Sequence, residues 1–157
     1  MTGNAPVVMA SPVGPLGIHC TAAGRLRAIE LLASGRPLHS PPPHARPAWE
    51  ALAAYFRDPR EVPEVPLELA GTDFQRRVWA ALKGIPPGEV LTYGELARRL
   101  GTAPRALGQA CRANPVPILV PCHRVVAATG RGGYAGATGG RLLAIKRWLL
   151  THEGKHP

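Results

Sequence analysis

Proline and glycine divide this chain into short segments, and that punctuation constrains its fold more than any other feature of the sequence. The 157 residues include 18 prolines and 18 glycines, and the densest breaks are Pro37–Pro47 and Pro86–Gly88. Proline lacks the N–H that helices and sheets require, and glycine favours turns. We therefore expect short strands and short helices joined by tight turns.

The first part of the chain, residues 1–70, predicts a small α/β domain with a short antiparallel sheet. Its strand-like segments are Pro6–Ala10, Gly17–Cys20 and Leu26–Leu32, which are separated by turn residues. Pro47–Arg57 has the apolar spacing of a short helix. No group of side chains in this part of the sequence suggests chemistry.

The second part, residues 71–157, predicts a mainly helical, winged-helix-like domain, so the fold class of the whole chain is α+β. Thr72 or Asp73 can cap a first helix that runs to about Lys83. Its buried stripe is expected at four apolar positions, Phe74, Val78, Ala81 and Leu82.

Two further helices predict a helix-turn-helix. Thr92 is a candidate N-cap for a helix over Tyr93–Leu100, and a third helix follows over residues 103–113. Two short helices joined by a short turn that contains glycine are typical of DNA-binding proteins. The third helix has small side chains, and Gly108 costs it about 1 kcal/mol relative to alanine. Two explanations remain open: tight packing against another helix, or close approach of the helix backbone to a ligand.

The net charge of +9 belongs entirely to the second part of the chain. Residues 1–71 contain six arginines and six acidic residues, whereas residues 72–157 contain thirteen Lys and Arg residues against four acidic ones. Such a positive field attracts the phosphate backbone of nucleic acids. Solubility combined with a preference for arginine codons explains the same charge equally well. Charge alone therefore does not show that the protein binds nucleic acid.

Cysteine and histidine usage argues against a disulfide framework or a metal site. Cys20, Cys111 and Cys122 are too few and too scattered for disulfides. His39 and His44 lie in the proline-rich stretch and are expected to be loop residues, so we predict no metal. The sequence has no apolar run long enough to span a membrane and no signal-peptide pattern. A protein with reduced thiols in the cytoplasm is the simplest interpretation.

The residues with the clearest chemistry follow a short apolar segment. Residues 118–120 are predicted to form a buried strand, and Cys122, His123 and Arg124 come directly after it. A free thiol is only a few per cent thiolate at neutral pH, and a neighbouring base or positive charge raises that fraction. The alternative is a buried structural cysteine, which is common in proteins.

The adjacency of the thiol and the imidazole poses a geometric problem. Consecutive residues on a strand point to opposite faces. Cys122 and His123 can therefore interact directly only if Pro121 forces a turn, or else through a water molecule. A third group should orient the imidazole, and Glu153 is the leading candidate because acidic residues are scarce late in the chain.

The run from Asn114 to Val126, Asn-Pro-Val-Pro-Ile-Leu-Val-Pro-Cys-His-Arg-Val-Val, resembles the O6-alkylguanine-DNA alkyltransferase family. Further segments resemble motifs of that family and occur in its order: 71–79, 88–94, 105–108 and 148–154. The resemblance extends over residues 71–154 and is loose before them.

The resemblance implies a role for each residue of the reactive segment. Cys122 would be the nucleophile and permanent alkyl acceptor, and His123 would take its proton through a bound water. Glu153 would orient and polarise His123, and Asn114 would hold the active-site turn in place. Tyr93 would donate a proton to the guanine ring as the thiolate attacks.

The resemblance also implies a mode of DNA binding. Arg105 would enter the duplex and fill the gap left by the flipped base, with its helix in the minor groove. The other implied DNA contacts are Ala103, Ala106, Gly108, Arg112 and Arg124. The implied base pocket includes Val125, Tyr134 and Ala135. The partner would be double-stranded DNA containing O6-alkylguanine, and the protein would react once, as a monomer, without cofactor, metal or membrane.

Three other functions stay open at this stage. A damage-recognition protein of the same fold would flip alkylguanine without chemistry, although such proteins lack the acceptor cysteine. A winged-helix transcription regulator would bind undamaged DNA, and a Cys-His hydrolase would have no need of a basic second part. Alkyl transfer is the main prediction.

Overall fold

The computed structural model describes residues 5–129 and 139–154, and the chain divides into two compact units, residues 1–70 and 71–157. The first contains a small antiparallel sheet and one α-helix, and the second is mainly helical. The α+β fold class predicted from the sequence is therefore confirmed. Within the described ranges, no helix combines the length and apolar character that crossing a membrane requires.

The first unit is built on three strands in the order β1-β2-β3. Strands β1 (Val7–Met9), β2 (Leu16–Cys20) and β3 (Leu26–Leu31) pair antiparallel and lie within one residue or so of the predicted segments. Helix α1 (Arg46–Arg57) follows and contributes buried residues on one face. Apolar strand residues and the buried positions of α1 form the core of this unit; the strand residues are Val7, Met9, Leu16, Ile18, Leu26 and Ile29.

The first two helices of the second unit begin at capping boxes. Helix α2 (Asp73–Lys83) starts after Thr72, whose hydroxyl accepts a hydrogen bond from the N–H of Gln75 at 3.1 Å. Helix α3 (Tyr93–Leu100) starts after Thr92 with the reciprocal pair of bonds to Glu95. Each box satisfies N–H groups that a helix start leaves without helical partners. The predicted N-caps are therefore confirmed.

Helix α4 (Pro104–Arg112) packs against α2 and α3, which completes the predicted helix-turn-helix. Gly101 ends α3 in the left-handed conformation, with φ 68°, where glycine is favoured. Strand β4 (Leu91–Thr92) pairs parallel with β5 (Val125–Val126). Helix α5 (Gly140–His152) closes the described part of the chain and contacts the turn formed by residues 122–124.

The predicted strand over residues 118–120 is wrong, because these residues form a turn. The N–H of Val120 donates back to the carbonyl of Val116 at 2.9 Å, and Ile118 has a φ of 77°. A branched side chain in this region costs about 1–3 kcal/mol and persists only where surrounding structure imposes it. Apolar residues alone do not distinguish a buried strand from a buried turn. Pro115 and Pro117, which donate no backbone hydrogen bond, favour the turn here.

Candidate active site and DNA-binding surface

Pro121 turns the chain at the reactive residues. Its φ of −83° and ψ of 67° are those of an inverse γ-turn, and the N–H of Cys122 donates to the carbonyl of Val120 at 2.8 Å. A single 3₁₀ turn, Cys122–Arg124, follows directly. Cys122 and His123 therefore do not alternate as they would on a strand, and the turn at Pro121 considered from the sequence is present.

The side chain of Asn114 links the two ends of the loop that leads to this turn. Its side-chain amide donates to the carbonyl of Val120 at 2.8 Å, and its side-chain oxygen accepts from the N–H of Val116 at 2.9 Å. Both donor and acceptor of one amide are used to join the two ends of the Val116–Val120 turn. Asn114 therefore contacts the loop that the resemblance predicts it to hold in place.

A buried charge network joins the turn to the end of α5. His123 Nε2 and Glu153 Oε2 are 2.6 Å apart, and both side chains are fully buried. Arg124 donates to both carboxylate oxygens of Glu153, at 2.8 and 3.0 Å, and to the carbonyl of Ile85 at 2.5 Å. The structure thus brings Glu153 to the imidazole, as expected from the sequence.

The structure contradicts the assignment of Arg124 to the DNA-binding surface. Arg124 is only 6% exposed. Its guanidinium is engaged with Glu153 and with a backbone carbonyl, so it does not reach a phosphate. The sequence shows a cation beside the thiol, but it does not show that a carboxylate from a distant helix end binds that cation. Such bidentate pairing is a characteristic use of arginine.

The network sets the charges of the imidazole and the carboxylate. Burial by itself raises the pKa of Glu153, but hydrogen bonds from His123 and Arg124 outweigh it and bring that pKa to about 2. Burial lowers the pKa of His123 and outweighs the opposing effect of Glu153. At neutral pH the site therefore holds a carboxylate and a neutral imidazole, which can accept a proton.

Cys122 is a protonated thiol at rest. Burial raises its pKa, and the side-chain hydrogen bond from Asn114 and the charge of Lys146 oppose that effect without reversing it. From the sequence we expected the charges next to Cys122 to increase its thiolate fraction. In the structure Glu153 balances the charge of Arg124, so Arg124 does not increase the thiolate fraction of Cys122. The thiolate must form by proton transfer during the reaction.

Tyr93 is the first residue of α3 and retains its proton. Burial, followed by nearby Cys111 and Cys122, raises its pKa to about 12, and Arg112 lowers it slightly. A phenol with such a pKa stays a hydrogen-bond donor at neutral pH. The position fits the role of proton donor that the resemblance implies.

Two buried residues near the thiol were not identified from the sequence. Lys146 is fully buried in α5, and its Nζ donates to the carbonyl of Val125 at 2.9 Å. Cys111 is buried in α4, and its pKa is raised to about 12, chiefly by burial and then by Cys122. The sequence contained one indication that Lys146 is buried: its position, between Ile145 and the buried Leu149, falls on the apolar side of α5.

Helix α4 presents much of its small, basic side to solvent. Ala103, Arg105 and Arg112 are exposed, and Ala106 and Gly108 are partly exposed. A Cβ atom built on Gly108 would have no atom within 4 Å among the described residues. Packing against the described residues therefore does not explain this glycine, and close approach of an external ligand stays a prediction.

Replacing Gly108 with alanine is expected to stabilise the fold by about 0.5–1 kcal/mol, because helical glycine has the larger backbone entropy and the new methyl group meets no neighbour. Urea unfolding at neutral pH measures this change. The same variant is expected to bind duplex DNA more weakly than the wild type in a fluorescence titration. Loss of stability would favour the packing explanation, and unchanged affinity would remove the case for close approach.

The predicted base pocket is described only in part. Val125 is buried at the start of β5, and its carbonyl accepts the hydrogen bond from Lys146. Tyr134 and Ala135 lie outside the described residues.

The fold and the site together define a class: an α+β protein in which one compact unit contains both a helix-turn-helix and a buried Cys-His-Glu set. Comparison with known proteins agrees with this description. The family model described as 6-O-methylguanine DNA methyltransferase, DNA binding domain, matches residues 73–155.

Curated relatives extend the likeness over almost the whole chain. A methylated-DNA–protein-cysteine methyltransferase of Mycobacterium tuberculosis is 44% identical over 150 residues, which cover 91% of this chain and 88% of the relative. One from Shigella flexneri is 39% identical, with 93% of each chain covered. The crystal structure of the Mycobacterium tuberculosis protein in complex with DNA superposes with a TM-score of 0.76 at 39% identity, covering 94% of this chain and 91% of that one. This chain belongs to the O6-methylguanine-DNA methyltransferase family.

Proposed function

We propose that this protein repairs DNA by direct reversal of damage, moving the alkyl group of O6-alkylguanine irreversibly onto the sulfur of its own Cys122. The observation that supports this most strongly is the site itself: a buried thiol on a tight turn, next to a neutral imidazole that is bonded to a buried carboxylate. The helix-turn-helix in the same unit supplies the DNA-binding surface. A thioether is stable, so each molecule reacts once.

The proposed reaction is an in-line displacement at the alkyl carbon. His123 takes the thiol proton through an intervening water, and Glu153 stabilises the imidazolium that forms. The Cys122 sulfur then bonds to the alkyl carbon as the bond between that carbon and O6 breaks. Tyr93 protonates the guanine ring, so that neutral guanine leaves, and the proton from His123 restores the phenol. The overall reaction consumes the thiol proton and needs no cofactor.

Access to the lesion requires base flipping, because O6 of a stacked guanine is out of reach of a buried thiol. We place α4 in the minor groove, where its small exposed residues allow close approach. Arg105, exposed in the first turn of α4, fills the space of the flipped nucleotide and offsets part of the unstacking energy. Arg112 contacts the phosphate backbone from the other end of the helix.

The same residues also support a proposed oligomeric state and a proposed cellular location. The acceptor, base, orienting carboxylate and proton donor all come from one chain, which supports action as a monomer. The three cysteines are free thiols, and a nucleophilic thiol is maintained in a reducing compartment, which supports the cytoplasm as its location.

The test is the intact mass of the protein after incubation with duplex DNA that contains one O6-methylguanine. We expect a gain of one methyl group per molecule, located on Cys122 by peptide mapping, and no gain with the undamaged duplex. Tight lesion binding without a change in mass would instead indicate a damage-recognition protein. Sequence-specific binding to undamaged DNA would indicate a transcription regulator.

Replacing Arg105 with alanine is expected to slow repair of duplex DNA about 10- to 100-fold, since part of the few kcal/mol that flipping costs is no longer offset. Reaction with free O6-benzylguanine, which needs no flipping, should change little. Arg112→Ala is the matched control: it should weaken duplex binding and reduce its salt dependence by about one charge, but its repair rate at saturating DNA should stay near that of the wild type, whereas the rate of Arg105→Ala should stay low. Equal losses on duplex and free base in Arg105→Ala would contradict the insertion role.

A further inference from the structure

Arg124 joins three segments of the second unit through its guanidinium group. Nε and Nη2 donate side-on to the two carboxylate oxygens of Glu153, at 2.8 and 3.0 Å, and Nη1 donates to the carbonyl of Ile85 at 2.5 Å. A guanidinium is not deprotonated in proteins, so its positive charge is permanent. These contacts connect Arg124 to the orienting carboxylate of the active site and to the turn that follows α2.

The turn that accepts from Arg124 also touches the backbone of Glu153. Gly88 in this turn has a φ of 87°, and a Cβ atom built on it would lie 3.2 Å from the carbonyl oxygen of Glu153. The turn therefore fixes the guanidinium through Ile85 and lies against the main chain of Glu153 at Gly88. Both partners of the Arg124–Glu153 pair are held by the same short segment.

The shared carboxylate determines which imidazole nitrogen has the hydrogen. Oε2 of Glu153 accepts from Arg124 and lies 2.6 Å from Nε2 of His123. An ionised carboxylate only accepts hydrogen bonds, so the hydrogen between Oε2 and Nε2 belongs to the imidazole. In a neutral imidazole the lone pair is then on the other nitrogen, Nδ1. Nδ1 is therefore the nitrogen that can accept the proton of Cys122.

One additional proton on the His123–Glu153 pair removes this base. A proton added to the imidazole occupies Nδ1 directly. A proton added to the carboxylate donates to Nε2, and the imidazole hydrogen then moves to Nδ1. The buried pair has one negative charge, which favours uptake of such a proton unless a cation compensates it. Arg124 supplies a permanent cation at hydrogen-bonding distance from the carboxylate.

The charged and titratable groups around the pair come from the Cys122–Arg124 turn and from α2 and α5, which pack against it. Arg124 and Lys146 both lower the pKa of His123, and Arg124 also lowers the pKa of Glu153. The other charged residues of the two helices are exposed, and His152 is partly exposed; the exposed ones are Asp73, Arg76, Arg77, Lys83, Arg141 and Arg147. Arg124 therefore combines burial, charge and direct hydrogen bonds to the carboxylate.

We propose that Arg124 is a positioning residue: its guanidinium, anchored on the Ile85 carbonyl, keeps Glu153 ionised and directed at Nε2 of His123, so that Nδ1 accepts the proton of Cys122. The inference deepens the proposed function and rests on it. During alkyl transfer the sulfur gives its proton to Nδ1 through the intervening water, and the neutral imidazole becomes an imidazolium. Nε2 keeps its hydrogen and its bond to Glu153, so no second proton moves.

The test follows the protonation of His123 by ¹⁵N NMR across pH, in labelled and sequentially assigned protein. In the wild type we expect hydrogen on Nε2 and none on Nδ1 at neutral pH. In Arg124→Gln, which keeps a hydrogen-bond donor but loses the charge, Nδ1 should gain its proton at a pH higher by about one to three units, the usual effect of an arginine beside a carboxyl. Arg147→Gln, which removes an exposed arginine of α5, should leave that pH unchanged.

The rate of alkyl transfer from free O6-benzylguanine gives a second readout. In Arg124→Gln the low-pH limb of the rate should move together with the NMR midpoint, whereas a purely structural defect would lower the plateau and leave the limb in place. Arg124→Lys keeps the charge but cannot hold the carboxylate side-on. It should keep the wild-type midpoint and transfer the alkyl group about 10- to 100-fold more slowly, as expected when a catalytic group is misplaced.

A folded Arg124→Gln protein with the wild-type midpoint would overturn the proposal, and so would a wild-type protein with the hydrogen on Nδ1 at neutral pH. If the glutamine variant does not fold, the wild-type tautomer and Arg124→Lys decide, and a lysine variant with the wild-type rate would contradict the positioning role. Because the NMR measurement needs no alkyl donor, the expected shift together with no methyl gain from damaged duplex would count against the proposed function and not against Arg124.

Discussion

Replacing Cys122 with serine abolishes alkyl acceptance while leaving recognition of the lesion in place; this is the expected result with the largest effect. Serine is close to cysteine in size, but its hydroxyl ionises far less readily than a thiol and is a much weaker nucleophile at its free pKa. The helix-turn-helix and Arg105 are untouched. The variant should therefore bind O6-methylguanine duplex and gain no mass from it.

The chain provides matched controls for this substitution. Cys20 lies in the first unit and Cys111 lies in α4 close enough to influence Cys122, and all three cysteines are free. Cys20→Ser and Cys111→Ser are each expected to retain the gain of one methyl group, with intact mass as the readout. A methyl group still acquired by Cys122→Ser, or lost in Cys111→Ser with the fold intact, would show that another thiol accepts it.

Replacing Glu153 with glutamine is expected to lower the rate of alkyl transfer by about 10²- to 10⁴-fold, the range associated with general acid–base groups. The carboxylate is the partner of both His123 and Arg124. Without its negative charge the imidazolium is no longer stabilised and the buried guanidinium is left uncompensated. Removing one partner of a buried ion pair costs about 3–5 kcal/mol, so the unfolding free energy should also fall by that order.

Acid titration tests whether the negative charge of Glu153, and not only its shape, stabilises the fold. The pKa of Glu153 is lowered from 4.5 to about 2, so its contribution to stability is complete above pH 4.5 and is lost as pH falls toward 2. Urea unfolding across this window should show a loss in the wild type that is absent from Glu153→Gln. Glu95→Gln, at an exposed capping position where glutamine also fits, is the control for rate and stability at neutral pH. A Glu153→Gln protein with the wild-type rate would contradict its role.

Much of the fold could be predicted from the sequence because the deciding interactions are local. Thr72 and Thr92 each cap a helix through the residue three positions later, and Gly101 ends a helix because it tolerates the left-handed conformation. These effects operate within one turn of chain, so residue types and spacing suffice to predict them. The pairing of Glu153 with His123 was also expected, but from scarcity of acids and family resemblance rather than from local spacing.

Other features depend on contacts between residues that are far apart in the sequence, and these contacts set burial and charge. Arg124 reads as a DNA contact in the sequence, yet it is bound to a carboxylate 29 positions away. Residues 118–120 read as a strand, yet they form a turn tied by Asn114. Lys146 was not singled out from the sequence, yet it is buried and donates to the carbonyl of Val125, directly after the reactive turn. Local sequence sufficed to predict where α2 and α3 begin, which thiol has a base next to it and which part of the chain has the net positive charge. Which charges face each other in a desolvated interior depends on packing between distant segments, and desolvation is what makes those charges strong enough to govern the chemistry.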